Sequence, residues 1–106
     1  LSLHDALPIC GCTSLENLRC FANNLTTLDV SGCTSLYGLE CSDNNLTTLD
    51  VSTCTALEVL NCFTNNLTSL DITNNNNLMG LAIAENPFTT ESYDLLMCSF
   101  FLKHYH

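Results

Sequence analysis

The sequence predicts a solenoid: a right-handed coil of short parallel strands with little helix, closed by a helical cap after residue 88. Three observations lead to that expectation. "LRCFANNLTTLDVSGC" (18–33), "LECSDNNLTTLDVSTC" (39–54) and "LNCFTNNLTSLDITNN" (60–75) are near copies set 21 residues apart. Six of the eight cysteines fall into two series, 12/33/54 and 20/41/62, each with that same step. In "GLEC" (38–41) and "TLDV" (48–51), and in their counterparts 21 residues away, apolar residues alternate with others, the period-two signature of a strand with one buried face.

The chain has 106 residues, 46% of them hydrophobic, which suits one small folded domain or a slice of a larger one. Its formal charge of −9 argues against nucleic acid or an anionic membrane as a partner. No apolar run approaches the roughly 18–20 residues that a membrane span requires. Eight cysteines in a short chain usually suggest disulfides or zinc. Here their spacing follows the repeat, and no CxxC pair occurs.

Residues 1–9, "LSLHDALPI", fit the pattern poorly. They match the in-frame translation of a common sequencing-library adapter, with the leftover base beginning the codon of Cys10. The competing reading is a degenerate repeat, because "LPICGCTSL" (7–15) lines up with "LDVSGCTSL" (28–36). The stretch is set aside from functional reasoning, His4 and Asp5 included. On the adapter reading, the natural chain is a fragment that begins inside a repeat.

The solenoid is expected over residues 10–88, in units starting at Leu15, Leu36, Leu57 and Leu78. Each unit runs L-x-x-L-x-C-x-x-N-N-L-T-x-L-D-V-S-x-C-T-x. The pattern decays in the fourth, where Ile83 takes the cysteine slot and Phe88 follows Pro87 in place of leucine. A shorter period is nested inside, since Leu36, Leu39 and Cys41 recur as Leu46, Leu49 and Val51. Each coil should therefore carry two half-turns, giving two narrow parallel ladders back to back about 4.8 Å per step. Asn23, Asn44, Asn65 and Asn86 stand where the chain turns inward, a place for an amide that bonds buried backbone groups and the next coil.

The motif L-x-x-L-x-C-x-x-N-x-L resembles the leucine-rich repeat, with cysteine at a position usually held by leucine. The following L-x-x-L-D-V-S-x-C-T is similar to the nested repeats of bacterial surface proteins of the internalin-like and BspA-like kinds. The resemblance covers residues 10–88. It implies a strand-lined concave face that engages protein partners, and an extracellular or cell-surface location.

Residues 89–106 are read as a capping helix with Thr90 as its cap and with Tyr93, Leu96, Met97, Phe100 and Phe101 on one face. The alternative is a tail foreign to the repeats.

Cys20, Cys41 and Cys62 should be core thiols, since in-register Cβ atoms about 4.8 Å apart exceed the ~3.8 Å that a disulfide favours. Asp29, Asp50 and Asp71 should form a solvated outward stripe with local Ser and Thr partners, not a calcium site. The N-L-T sequons at Asn24, Asn45 and Asn66 follow from the repeat itself. Cys98, His104 and His106 lack the companions of a metal site or a catalytic pair. No catalytic residue, metal or cofactor is expected.

The outward positions of the first strand vary freely while the framework stays constant: Asn17, Arg19 and Phe21; Gly38, Glu40 and Ser42; Val59, Asn61 and Phe63; Gly80, Ala82 and Ala84. These form the expected partner-binding face, with Phe21 and Phe63 as exposed aromatic anchors. The expected function is non-catalytic recognition of a host or neighbouring-cell surface protein, or of a glycan. The alternatives are a structural spacer in an adhesin, or an accessory repeat region of an enzyme whose catalytic domain lies elsewhere.

Overall fold

The computed structural model describes residues 6–104. It is a parallel-strand solenoid of about four turns. The elements are β1 (Ala6–Pro8), β2 (Asn17–Arg19), β3 (Thr27–Asp29), β4 (Gly38–Glu40), β5 (Val59–Asn61), β6 (Gly80–Ala82) and α1 (Thr90–His104). Four strands form one sheet in the order β2-β4-β5-β6, and β1 and β3 form a second. The molecule measures 46 × 30 × 15 Å.

Register follows the 21-residue step throughout. Leu18 pairs with Leu39, Leu39 with Leu60, and Leu60 with Leu81. Three-residue strands are too short to hold alone, so each depends on the backbone of the next coil. Cys20 N donates to Glu40 O at 2.9 Å, Cys41 N to Asn61 O at 2.8 Å and Cys62 N to Ala82 O at 2.9 Å. The ladder reaches beyond the strands on both sides, from the Tyr37 N bond to Glu16 O to the Ala22 N bond to Ser42 O. Leu36, Leu39, Leu46, Leu57, Leu60 and Leu67 fill the interior, none more than 2% exposed.

The second ladder is less developed than the nested period predicts. Among the described residues only β1 and β3 pair there, with Ile9 N bonded to Asp29 O and Gly11 N to Ser31 O, both 2.8 Å. In later coils side chains take over this work. Ser52 N and Thr73 N each donate to the aspartate two residues earlier, at 2.9 Å. Between coils, Gly32 N donates to Thr53 Oγ1 at 2.9 Å, and Asn74 Nδ2 to Ser52 O at 3.3 Å. The aspartate turn itself is common to all three coils, since Ser31 N donates likewise to Asp29 Oδ1 at 3.0 Å, so what changes is the inter-coil partner: a backbone carbonyl for Gly11 N, a side-chain hydroxyl for Gly32 N.

Residues 6–9 lie in the coil. Ala6, Leu7 and Pro8 sit in register with Thr27, Leu28 and Asp29, and Leu7 and Ile9 pack against the core. The backbone accommodates this segment whatever its nucleotide origin. His4 and Asp5 lie outside the described residues.

A bend after each strand turns the chain inward through a left-handed residue: Ala22 (φ 59°), Asp43 (54°), Thr64 (57°) and Glu85 (58°). None is glycine, so each carries a steric cost of about 1–2 kcal/mol. Inter-coil bonds from Ala22 N, Asp43 N and Thr64 N hold the conformation in place.

At the far end α1 follows the last coil. Its cap is Thr89, one residue earlier than expected: Thr89 Oγ1 accepts from Ser92 N at 3.0 Å. The threonine three residues before that donor has the geometry to reach it. Leu96 is buried, and Met97 and Phe100 pack against the core, but Tyr93 (47% exposed) and Phe101 (63%) do not join them. At about 100° per residue, Phe101 is rotated away from the seam that Phe100 occupies. No helix among the described residues is long and apolar enough to cross a membrane.

Candidate partner-binding face

Of the twelve positions expected to face outward from the four-stranded sheet and the turns after it, Ser42 is the exception: it is buried, its hydroxyl turned onto Glu40. Because the strands stack in register, Asn17, Gly38, Val59 and Gly80 form one column. Arg19, Glu40, Asn61 and Ala82 form the next, and Phe21, Ser42, Phe63 and Ala84 a third. Phe21 and Val59 are each 51% exposed, and Phe63 is half-buried. Gly38 is closely covered by its neighbour, since a Cβ there would lie 3.1 Å from Asn17 Oδ1.

The middle columns are tied together. Glu40 Oε1 accepts from Ser42 Oγ at 2.6 Å and Ser42 N at 3.1 Å, and Glu40 Oε2 accepts from Asn61 Nδ2 at 2.7 Å. Asn61 Oδ1 accepts in turn from Phe63 N at 3.2 Å. Ser42 is buried, and its hydroxyl hydrogen is committed to Glu40. Arg19 has no ion pair or hydrogen bond among the described residues. The face is thus a fixed polar strip bordered by exposed apolar side chains.

Two cavities open along it. One of about 400 Å³ is lined by Asn17, Arg19, Phe21, Tyr37, Val59 and Asn61, among others. The other, about 740 Å³, lies where the last coil meets α1, against Phe63, Ile83, Glu85, Phe88, Tyr93 and Met97. Tyr37 (44% exposed), which the sequence does not single out, and Tyr93, expected on the packing face of the helix, both belong to this surface. Tyr37 occupies a slot held by Glu16, Glu58 and Met79 in other coils, a variable position that the same comparison between repeats could have flagged.

Behind the face runs the asparagine spine. Asn44 Oδ1 accepts from Asn23 N (3.0 Å) and Leu25 N (2.9 Å) of the preceding coil, and its Nδ2 donates to Cys20 O and Cys41 O. Asn65 accepts from Leu46 N, and Asn86 from Leu67 N, each at 3.0 Å. Asn23, in the first coil, donates to Cys20 O and Phe21 O.

Cys20, Cys41 and Cys62 are buried free thiols. Burial, helped by the charge of Glu40, pushes Cys20 up to about 11 and Cys62 to about 12. Burial also raises Cys41, further increased by its two cysteine neighbours. All three stay protonated near neutral pH, which makes them poor nucleophiles.

In the first column Cys62 Sγ donates forward to Ala82 O at 3.6 Å, while the other column bonds back to the preceding coil. Cys33 Sγ donates to Ile9 O at 3.3 Å and Cys54 Sγ to Val30 O at 3.5 Å, each 24 residues back. Cys12, at the start of this column, is exposed. Asn75 takes the same slot in the fourth coil and donates to Val51 O at 2.9 Å, while its own Oδ1 is buried without a partner.

On the opposite side Asp29, Asp50 and Asp71 are exposed. Hydrogen bonds from Ser31 and Ser52, side chain foremost, hold Asp29 and Asp50 below the usual carboxylate range. For Asp71 the larger cause is the backbone N–H of Thr73, followed by its hydroxyl. Cys98 and His104 lie on α1, with His104 edge-on to Phe100 at 4.6 Å. His106 lies outside the described residues. Among the described residues no group of three or more His, Cys, Asp or Glu is placed to hold a metal ion.

No protein-family model matches the chain and no curated protein matches it; the 21-residue register shows a repeat fold.

Proposed function

We propose that the chain is a non-catalytic recognition module of the leucine-rich repeat type, part of a larger secreted or surface-attached bacterial protein. It binds another protein through the strand face. The observation that carries the reading is the exposure of Phe21, Tyr37 and Val59 on one rigid sheet face, in slots whose occupants change from coil to coil over a constant core. Exposed aromatics on a preorganised surface supply contact area at little entropic cost, which is how interface anchors work. Strand geometry and the Glu40–Ser42–Asn61 network supply that preorganisation. The buried thiols, held protonated, serve packing better than catalysis.

The test is binding of labelled protein to arrays of surface proteins and of glycans, comparing wild type with a Phe21→Ala/Phe63→Ala variant. A partner seated on this face should lose at least tenfold in affinity, the effect of removing an anchor residue. A spacer function predicts equal signals from both proteins. Signals on glycans alone would favour a carbohydrate partner.

A further inference from the structure

Resting on that recognition reading, we propose that the face takes an extended peptide segment of bipolar charge. Its acidic group sits on Arg19, its basic group beside Glu85, and apolar side chains lie between. Arg19 and Lys103 are the only Lys or Arg residues in a chain of net charge −9. Lys103 lies on α1, where its Nζ donates to Thr73 O at 3.4 Å. Arg19 is therefore the one guanidinium on the strand face. Its in-register neighbour Glu40 would be its obvious partner, but both Glu40 oxygens are directed to Ser42 and Asn61. Among the described residues the cation is open to a ligand, with Asn17 and Asn61 lining the same cavity. Guanidinium with flanking amides is a chemistry suited to a carboxylate.

Glu85 marks the other end. Its Oε2 accepts from Thr64 Oγ1 at 2.9 Å, and no cation pairs with it among the described residues. It borders the larger cavity with Phe63, Phe88 and Tyr93, whose rings suit a cation beside a carboxylate. Three coil steps separate the two ends, about 14 Å along the stack. At about 3.3 Å per residue an extended segment of four to six residues covers the distance.

The experiment is an NMR titration of isotope-labelled protein with three capped peptides of about six residues, the length set by that span. One is Asp-Tyr-Ala-Leu-Tyr-Lys; the others carry Asp at both ends or Lys at both ends. Wild type should bind the bipolar peptide best, by about fivefold over either rival, the worth of one exposed charge contact. Arg19→Glu should move the preference to the di-basic peptide and Glu85→Lys to the di-acidic one. The double exchange should restore the bipolar choice, because the peptide can reverse its direction. Both positions are exposed, and the unliganded spectra establish that the variants fold. If the di-basic peptide wins in every variant, overall charge governs and the bipolar assignment fails, while shifts at Phe21, Tyr37 and Phe63 would leave the recognition reading standing. If no peptide shifts strand-face signals, both fail.

Discussion

A side chain that recurs every 21 residues meets its own copies, and the two cysteine columns show how finely that selects. Cys20, Cys41 and Cys62 end in Ile83, a residue with no polar atom. Cys33 and Cys54 end in Asn75, a residue that donates hydrogen bonds. The structure supplies the reason: the second column faces carbonyls of the preceding coil, whereas in the first Cys62 Sγ reaches Ala82 O of the next coil at 3.6 Å and Cys20 and Cys41 pack without a thiol hydrogen bond among the described residues. Serine keeps a donor but adds a polar oxygen, so the two sites should respond differently. Cys54→Ser should cost under about 1 kcal/mol, its hydroxyl replacing the thiol on Val30 O. Cys41→Ser should cost about 2 kcal/mol or more, the penalty for a buried hydroxyl with poor partners. Urea unfolding of both variants checks the difference; equal losses would mean that the columns are equivalent.

At the scale of elements, the strand sheet and the helix rest on different foundations. Each strand is held by identical neighbours, so its stability is distributed over the ladder. The helix has one seam with the solenoid, with Leu96 buried in the core and Met97 and Phe100 packed against it. Leu96→Ala should therefore cost about 2–4 kcal/mol. Thr89→Ala, which deletes the Ser92 cap, should cost about 1 kcal/mol. Thermal melts report both, and hydrogen exchange should place the Leu96→Ala loss first at the fourth coil. A uniform loss through all coils would show that α1 and the solenoid unfold as one unit.

For the molecule as a whole, the stacked thiols couple stability to alkaline pH. A buried thiol titrates higher in the folded chain than in the unfolded one, where it ionises near 9.0. Stability is thus intact below about pH 9 and falls as pH rises toward 12, because the unfolded chain releases its protons first. Cys41 and Cys62 each contribute a slope of up to about 1.4 kcal/mol per pH unit in that window. The melting temperature should drop steeply above pH 9, and a Cys41→Ala/Cys62→Ala variant, though weaker at neutral pH, should show a shallower alkaline decline. An unchanged slope would assign the alkaline loss to other groups.

Periodicity alone determined the coil, its register, the leucine interior and, Ser42 aside, the positions that face outward, because a repeat can bury its apolar stripe only against its own copies. Other features depended on the folded geometry. The sequence does not reveal that the second ladder gives way after β3 to side-chain bonds between coils, such as Gly32 N to Thr53 Oγ1. Nor does it reveal that Thr89 is the cap, or that Phe101 turns away from the seam. The face was legible as a set of varied columns, but its polarity was not. Glu40 could have paired with Arg19 or turned along the ladder to Asn61, and competing hydrogen-bond partners at nearly equal reach are resolved only when every neighbour is in place.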